Sequence, residues 1–466
     1  MNEVKPVHTR TVELLLAAIS RKRGSDLRSS FFFGRPGSPH WDRRLGIEIY
    51  YLRTELIRAA LHVRQSGPPY LRYLSIDQIW SMLQSFVTEN FWYLADDVYF
   101  HQFDGTFLDH VSDRAKNQLT AAIAVSDIFV PANELTLFPL SVVTVKADFD
   151  SDPFFLIRPG SLDGSRLPHD VDPAWLVSAE FPPLRDWRGK KSAPVAWLGV
   201  RSPAVQASEK MKAAILGALA LTPLLPYRHM FSGRTVMEGR CTIGRERITT
   251  SFGEPHTPPL MHDVEITDAD HAWLSVLTAR LLSGEKAARR QLRALEYFYR
   301  AWPLTPSERF AVLCMTLDAV FGDANHASQA VIDGVRTAIG DHVSDARLRR
   351  LMELRASVIH GGAPDVYDSR KYGRYYDEFD ADPIHDLELV VGECLRVSIF
   401  GGALREHADP NAEIIAQAQA NGRLSKNLLR NTILDRPASS AAETVPQRTA
   451  RDGPEPGSRY GDSGDC

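Results

Sequence analysis

Arg355 and His360 are the residues whose types and spacing could do chemistry. They lie in LRRLMELRASVIHGG, Leu348 to Gly362. Leu348, Leu351, Arg355 and Val358 recur at helical spacing and share one face, which Met352 and Ile359 widen. Gly361 and Gly362 supply a helix stop. A guanidinium in an apolar stripe is costly to bury alone, so Arg355 is expected to face a partner carboxylate, a subunit interface or an anionic ligand. His360 falls in the last turn, about 140° further round the helix but within reach of the long arginine. The negative helix end there favours a protonated imidazole. An arginine that binds phosphate beside a histidine that moves a proton suits phosphodiester chemistry. The spacing alone has a blander reading, an interface arginine and a surface histidine.

The elements that must position this pair come from the rest of the chain. Its 466 residues allow two to three domains, and 44% hydrophobic with 24% charged residues is ordinary for a soluble globular protein. No apolar run is long enough for a membrane-spanning helix, and the N-terminus has no signal-peptide cleavage pattern. Cys241, Cys314, Cys394 and Cys466 are scattered, without a CxxC pair or a metal-ligand spacing. A reducing cytoplasm is the expected location. A net charge of −4 does not mark a nucleic-acid binder, so such a role needs a local basic patch.

Residues 1–44 read as a short helix and a mobile arm. Leu45 to about Arg64 reads as a helix, and Ser75 with Gln78 as the capping box of a second one. Ser141–Phe149, Asp152–Gly160, Ala193–Val200, Arg234–Ile243 and Glu246–Phe252 have strand composition, with a helix over about Ser208–Leu221. Residues 45–262 are thus expected to form a mixed α+β domain. The acidic and histidine cluster His262, Asp263, Glu265, Asp268, Asp270 and His271 could suggest a metal site. A helix start capped by Thr267 and Asp270 explains it better, and neither a metal nor another cofactor is expected. From Thr267 the pattern is helical. Lys286, Arg289, Arg290 and Arg293 form a basic outer face on the helix over Glu285–Tyr299. Thr305-Pro306-Ser307-Glu308 is a strong helix start. Arg370, Lys371, Tyr372 and Arg374 sit in a basic-aromatic loop, and beyond about Arg430 little remains to bury.

Three stretches here resemble the HEPN superfamily, all-helical domains many of which are ribonucleases, and most closely its Apea-like branch, named for an anti-phage defence protein. They are SERFAVLCMTLDAVFGD, with Asp318 where that branch usually has glutamate; LMELRASVIHGG; and HDLELVVGECLRVSIFGGAL. The likeness covers residues 268–405, about a third of the chain. One departure is Ala356, which follows the arginine where the family carries asparagine, histidine, aspartate or serine; Ser357 comes one step late.

The resemblance implies a homodimer whose R-x4-H helices meet at the interface and a metal-independent endoribonuclease of prokaryotic defence or toxin type. The RNA 2′-hydroxyl would attack the adjacent phosphate, with His360 as general acid or base, Arg355 stabilising the phosphoryl charge, and Asp318 and Ser357 supporting. Arg370, Lys371, Tyr372 and Arg374 would hold single-stranded RNA by phosphate contacts and stacking. The alternative is a non-catalytic module of the same type that binds RNA, a nucleotide or a protein.

The expected fold is therefore an α+β N-terminal domain, an all-α HEPN-like helical bundle and a disordered C-terminal tail. The divisions are an arm (1–44), a mixed sensor domain for an unknown trigger ligand or protein (45–262), the bundle (263–408) and a largely disordered extension (409–466). No membrane partner is expected.

Overall fold

The computed structural model describes residues 4–22, 27–35, 43–101, 103–131, 133–168, 171, 176, 184–186, 191–223, 236–244, 248–258, 260, 262–323, 326–361, 365–424 and 432–434. It has an N-terminal region of mixed helix and sheet and a largely helical remainder.

The chain opens with α1 (Pro6–Ala17), β1 (Ile19–Ser20), β2 (Leu27–Phe33), β3 (Leu45–Tyr51), α2 (Arg53–Ser66), α3 (Ile76–Asn90), α4 (Trp92–Val98), α5 (Phe107–His110) and α6 (Asp113–Ala124). Two readings are corrected here. Residues 27–33, taken as part of a mobile arm, form a strand paired antiparallel with β3 along its whole length, and Phe33 packs edge-on against Phe91 with ring centroids 4.9 Å apart. Residues 45–51, taken as the first turns of a helix, are that partner strand. Ile47, Ile49 and Tyr51 alternate into the core at period two, the strand signature, before α2 begins at Arg53. The capping box of Ser75 and Gln78 opens α3 as expected. Elements α1 to α6 close around one apolar core running from Val12 to Ile128.

The second sheet comprises β4 (Glu134–Leu140), β6 (Phe149–Asp150), β7 (Phe154–Ile157), β8 (Leu184–Asp186), β9 (Lys191–Ser192), β10 (Ala196–Ser202), β11 (Val236–Ile243) and β12 (Ile248–Gly253). Its order is β6-β7-β10-β4-β11-β8-β9, with β12 also on β11, and every pairing is antiparallel. Beside it β5 (Val143–Val145) pairs in parallel with β13 (Val264–Ile266). Strand β4 escaped the sequence reading. It carries Pro139, which lacks the N–H a central strand would use, yet Pro139 sits opposite Trp197 of β10 with buried residues on both sides.

Helix α7 (Val205–Leu219) covers one face of this sheet and joins it to the bundle of α8 (His271–Leu282), α9 (Lys286–Ala301), α10 (Pro306–Phe321), α11 (Ala327–Ile339), α12 (Asp345–Ile359), α13 (Arg370–Phe379) and α14 (Pro383–Phe400). The Thr305/Glu308 capping box with Pro306 starts α10 as expected. One continuous core runs from Phe138 on the sheet to Ile433 beyond the bundle. The apolar division therefore falls near residue 130 and not at 262. Gly217 explains how the layers meet: a Cβ there would lie 2.1 Å from the Leu295 carbonyl oxygen, so α7 and α9 touch backbone to backbone. Thr267 and Asp270 form the expected cap, which opens a short 3₁₀ turn ahead of α8.

Past the bundle, α15 (Ala412–Ala420) is a helix with no buried residue. Little was expected to be buried past about residue 430, and among the described residues there Ile433 is the buried apolar one. Its N–H donates to Asp386 Oδ1 at 3.1 Å. The remainder of the expected disordered tail, Cys466 and the loop glycine Gly362 lie outside the described residues. Among the described residues no helix is long and apolar enough to cross a membrane.

Gly217→Ala should destabilise the chain by about 1–3 kcal/mol, the usual cost of overpacking, despite alanine's better helix propensity. Urea denaturation measures this; an unchanged midpoint would show that α7 and α9 can separate freely.

Candidate functional site

Helix α12 begins at Ser344, whose hydroxyl accepts the Arg347 N–H, and stops at Gly361, whose φ of +74° favours glycine. Leu348, Leu351, Met352 and Leu354 are buried in the chain's own core, with Val358 packed at its edge. Of the three surroundings expected for Arg355, the subunit interface is not what covers this stripe: the chain's own bundle does. A buried polar network fixes the helix. Arg347 Nη2 lies 2.6 Å from Asp386 of α14, and the Tyr375 hydroxyl donates to the same carboxylate at 2.5 Å. Burial pushes the Asp386 carboxyl up, and Tyr375 and Arg347 pull it back.

Arg355 reaches Asp318 on α10, with Nη2 to Oδ2 at 2.5 Å. The Asp318 carboxylate thus spans the gap between α10 and α12. Arg355 is 16% exposed and Asp318 29%, so the pair sits at the lip of the core. Arg355 Nε and Asp318 Oδ1 are buried without a hydrogen-bond partner. The end of α10 that carries Asp318 is itself gripped. Arg290 of α9 donates to the carbonyls of Ala319 at 2.9 Å and Gly322 at 2.7 Å, a cation on a helix C-terminus. Burial pushes the Cys314 thiol up, with Arg355 and Asp318 acting on it in opposite directions.

His360 is exposed at the end of α12, its N–H donating to the Ala356 carbonyl, and its ring has no hydrogen bond among the described residues. Arg355 turns to Asp318 and not to the imidazole. Ser357 is drawn away as well: its hydroxyl accepts from Ser369, the N-cap of α13, at 3.3 Å. Exposed Met315 and Ile359 lie one turn from Asp318 and Arg355 on their respective helices.

The expected RNA-holding loop is a correction. Residues 370–379 form a helix whose buried stripe centres on Tyr375. Lys371 Nζ donates to the Glu353 carbonyl at 2.9 Å, and Tyr372 packs edge-on against Tyr367 and hydrogen-bonds Asp382. Arg370 and Arg374, one turn apart, stay exposed without an acidic partner among the described residues. The acidic and histidine cluster does structural work at its centre. Asp270 accepts the Thr267 N–H, the Trp273 indole N–H and a bond from His407, and Asp263 accepts the Thr144 hydroxyl. Among the described residues no group of three His, Cys, Asp or Glu side chains could hold a metal.

One polar centre went unread in the sequence. Glu238 of β11, buried, accepts from Ser141 at 2.5 Å and from the His256 N–H; His256 Nε2 lies 2.8 Å from the Gly239 carbonyl, and Lys212 stands over the Phe138 ring. Burial raises Glu238 to about 7 and holds His256 down to about 4, Lys212 adding to the latter. Alternating strand residues carry no signal that distant partners will converge on one carboxylate.

Comparison with family models, characterised proteins and solved structures finds no match.

Two outcomes follow from the Arg355–Asp318 pair and the buried Glu238 centre. A double-mutant cycle with Arg355→Ala and Asp318→Ala should give a coupling of about 1–2 kcal/mol, below that of a fully buried pair because both groups touch solvent. Coupling near zero would make the contact incidental. Glu238, held protonated, contributes stability that is full below pH 4.5 and vanishes as pH rises through about 7; His256, held neutral, contributes stability that is full above 6.5 and is lost as pH falls through about 4. The two oppose each other, so wild-type stability should vary little across that window. Glu238→Gln should leave a steady fall from pH 6.5 to 4, checked by denaturation at stepped pH; parallel profiles would contradict it.

Proposed function

We propose that the chain is a metal-independent endoribonuclease of the HEPN type, acting in defence or as a toxin within the cytoplasm. The observation that carries this reading is the Arg355–Asp318 contact beside the exposed His360. The carboxylate holds the guanidinium at the surface and fixes its direction, as a phosphate ligand requires. His360, free of intramolecular partners among the described residues, is available to move a proton. In this reading Arg355 stabilises charge on the phosphoryl oxygens, His360 serves as general acid or base, and the 2′-hydroxyl displaces the 5′-oxygen to leave a 2′,3′-cyclic phosphate.

The dimer of this proposal rests on the surface and not on the buried stripe. Met315, 38% exposed, and Ile359, 45% exposed, flank the ion pair and offer an apolar seat for a second copy. The N-terminal region would receive the trigger. A specific observation supports the non-catalytic alternative: Ala356 offers no polar side chain beside Arg355, and Ser357 is spent on Ser369. The chain would then bind RNA, a nucleotide or a protein partner without cutting.

The chain is expected to cleave RNA in EDTA, and His360→Ala to lose about 10²–10⁴-fold in single-turnover rate while keeping its RNA affinity. Cleavage that needs added magnesium, or a His360→Ala chain as fast as wild type, would defeat the catalytic reading; wild-type binding without cleavage would favour the alternative.

A further inference from the structure

The basic face of α9 is not absorbed by the Arg355 site. Lys286, Arg289, Arg290 and Arg293 form one wall of a cleft of about 540 Å³, and Arg64 of α2 with Arg72 just beyond it forms the other. No acidic residue lines this cleft, although the chain as a whole carries a net charge of −4. Arg64 donates to the Arg72 carbonyl, and Arg290 is committed to the end of α10. Lys286, Arg289, Arg293 and Arg72 make no salt bridge among the described residues, and Glu296, which acts on Arg293, Arg300 and Lys210, balances only part of this charge. Concentrating cations in this way costs Coulombic repulsion that only an anion relieves. The repulsion registers on neighbouring Lys210: burial lowers its pKa, and Arg64, Arg293 and Arg300 push it the same way against Glu296.

The shape of the cleft separates a polymer from a small anion. Along α9 the cleft's cations run from Lys286 to Arg293, about 10 Å at 1.5 Å per residue, which spans about three phosphates of a single strand at about 3.4 Å each, and exposed Arg300 lies two turns further along the same helix. An adjoining compartment of about 210 Å³ shares Arg64, Arg72, Arg289 and Arg293, adds one cation and one carboxylate, Lys210 and Glu296, and brings in Tyr73 and Leu282, the last 62% exposed. A rail of cations beside an apolar shelf matches a strand whose phosphates and bases alternate. Two lobes of the fold must meet to make it, so neither wall suffices alone.

We propose that this cleft between α2 and α9 is a binding track for the phosphate backbone of single-stranded RNA. It extends the RNA reading above by naming where the strand lies. Arg290 ties the two places together, because it lines the cleft and also grips the carbonyls around Asp318, the residue that orients Arg355. A strand leaving the cleft past Arg290 arrives at the end of α10.

The test is binding, so a chain that never cuts can still pass it. The probe is a short, unstructured, fluorescein-labelled RNA, followed by anisotropy across a salt series with full-length His360→Ala protein, so that no cleavage intrudes. Arg289→Ala with Arg293→Ala, both exposed positions, should weaken binding about tenfold or more and flatten the slope of log K against log salt by about 1.4, two contacts at about 0.7 each. Arg64→Ala with Arg72→Ala should do the same from the opposite wall. Thermal melts confirm that each pair of substitutions leaves the fold intact. Unchanged affinity and slope in either double variant would overturn the track, as would strong binding of inorganic triphosphate by a chain that ignores RNA. Binding along the cleft without cleavage would support the track and count only against the catalytic reading.

Discussion

A charge at the edge of an apolar core must be paired, and the bundle around α12 is arranged to meet that requirement at Arg355. The guanidinium cannot sit between α10 and α12 alone; Asp318 makes the position tenable. Asp318 is in turn placed by the end of α10, which Arg290 of α9 holds through its carbonyls. On the other flank Arg347, Tyr375 and Asp386 lock α12 to α13 and α14 in a buried network that also captures the backbone at Ile433. Four neighbouring helices, α9, α10, α13 and α14, thus fix the placement of Arg355, whereas the exposed His360 ring at the end of α12 has no hydrogen bond among the described residues.

That division of labour bears on mechanism. Rigid placement is what electrostatic stabilisation of a phosphate needs, because donors already aimed at the developing charge cost no reorganisation. Proton transfer tolerates, and can require, a side chain free to reach its partner. The apolar stripe of α12 is buried in the chain's own bundle, and Asp318 is what holds the arginine at its edge.

The sequence made the helices of the second half legible because their caps are chemically explicit. Thr305-Pro306-Ser307-Glu308 and Thr267 with Asp270 announce their helix starts, and the structure places α10 and the turn before α8 there. Strand β3 was misread because Ile49, Leu52, Leu56, Ala60 and Val63 fit a helical period across a boundary at Leu52 that carries neither glycine nor proline. Strand β4 was missed because Pro139 argues against a central strand, and burial on both faces overrides that preference. At the site, Arg355 and His360 were legible as residue types, and Asp318 only as a supporting residue that the family resemblance implied. The direction of the contact was not, since it depends on how α10 crosses α12. Arg347 was passed over although it is the more buried arginine of that helix; in sequence it looks like any surface charge, and only Asp386, far along the chain, reveals its role. Glu238 and His256 illustrate the same limit, because convergence of distant strands leaves no local pattern.

The central claim is that Arg355 and His360 serve a 2′-hydroxyl attack on phosphate, and the ends of the product test it most directly. Mass spectrometry of the 5′ fragment after incubation of the full-length chain with RNA in EDTA should find a 2′,3′-cyclic phosphate, with none when the scissile nucleotide is 2′-deoxy. A fragment ending in a free 3′-hydroxyl, or cleavage that survives loss of the 2′-hydroxyl, would contradict it.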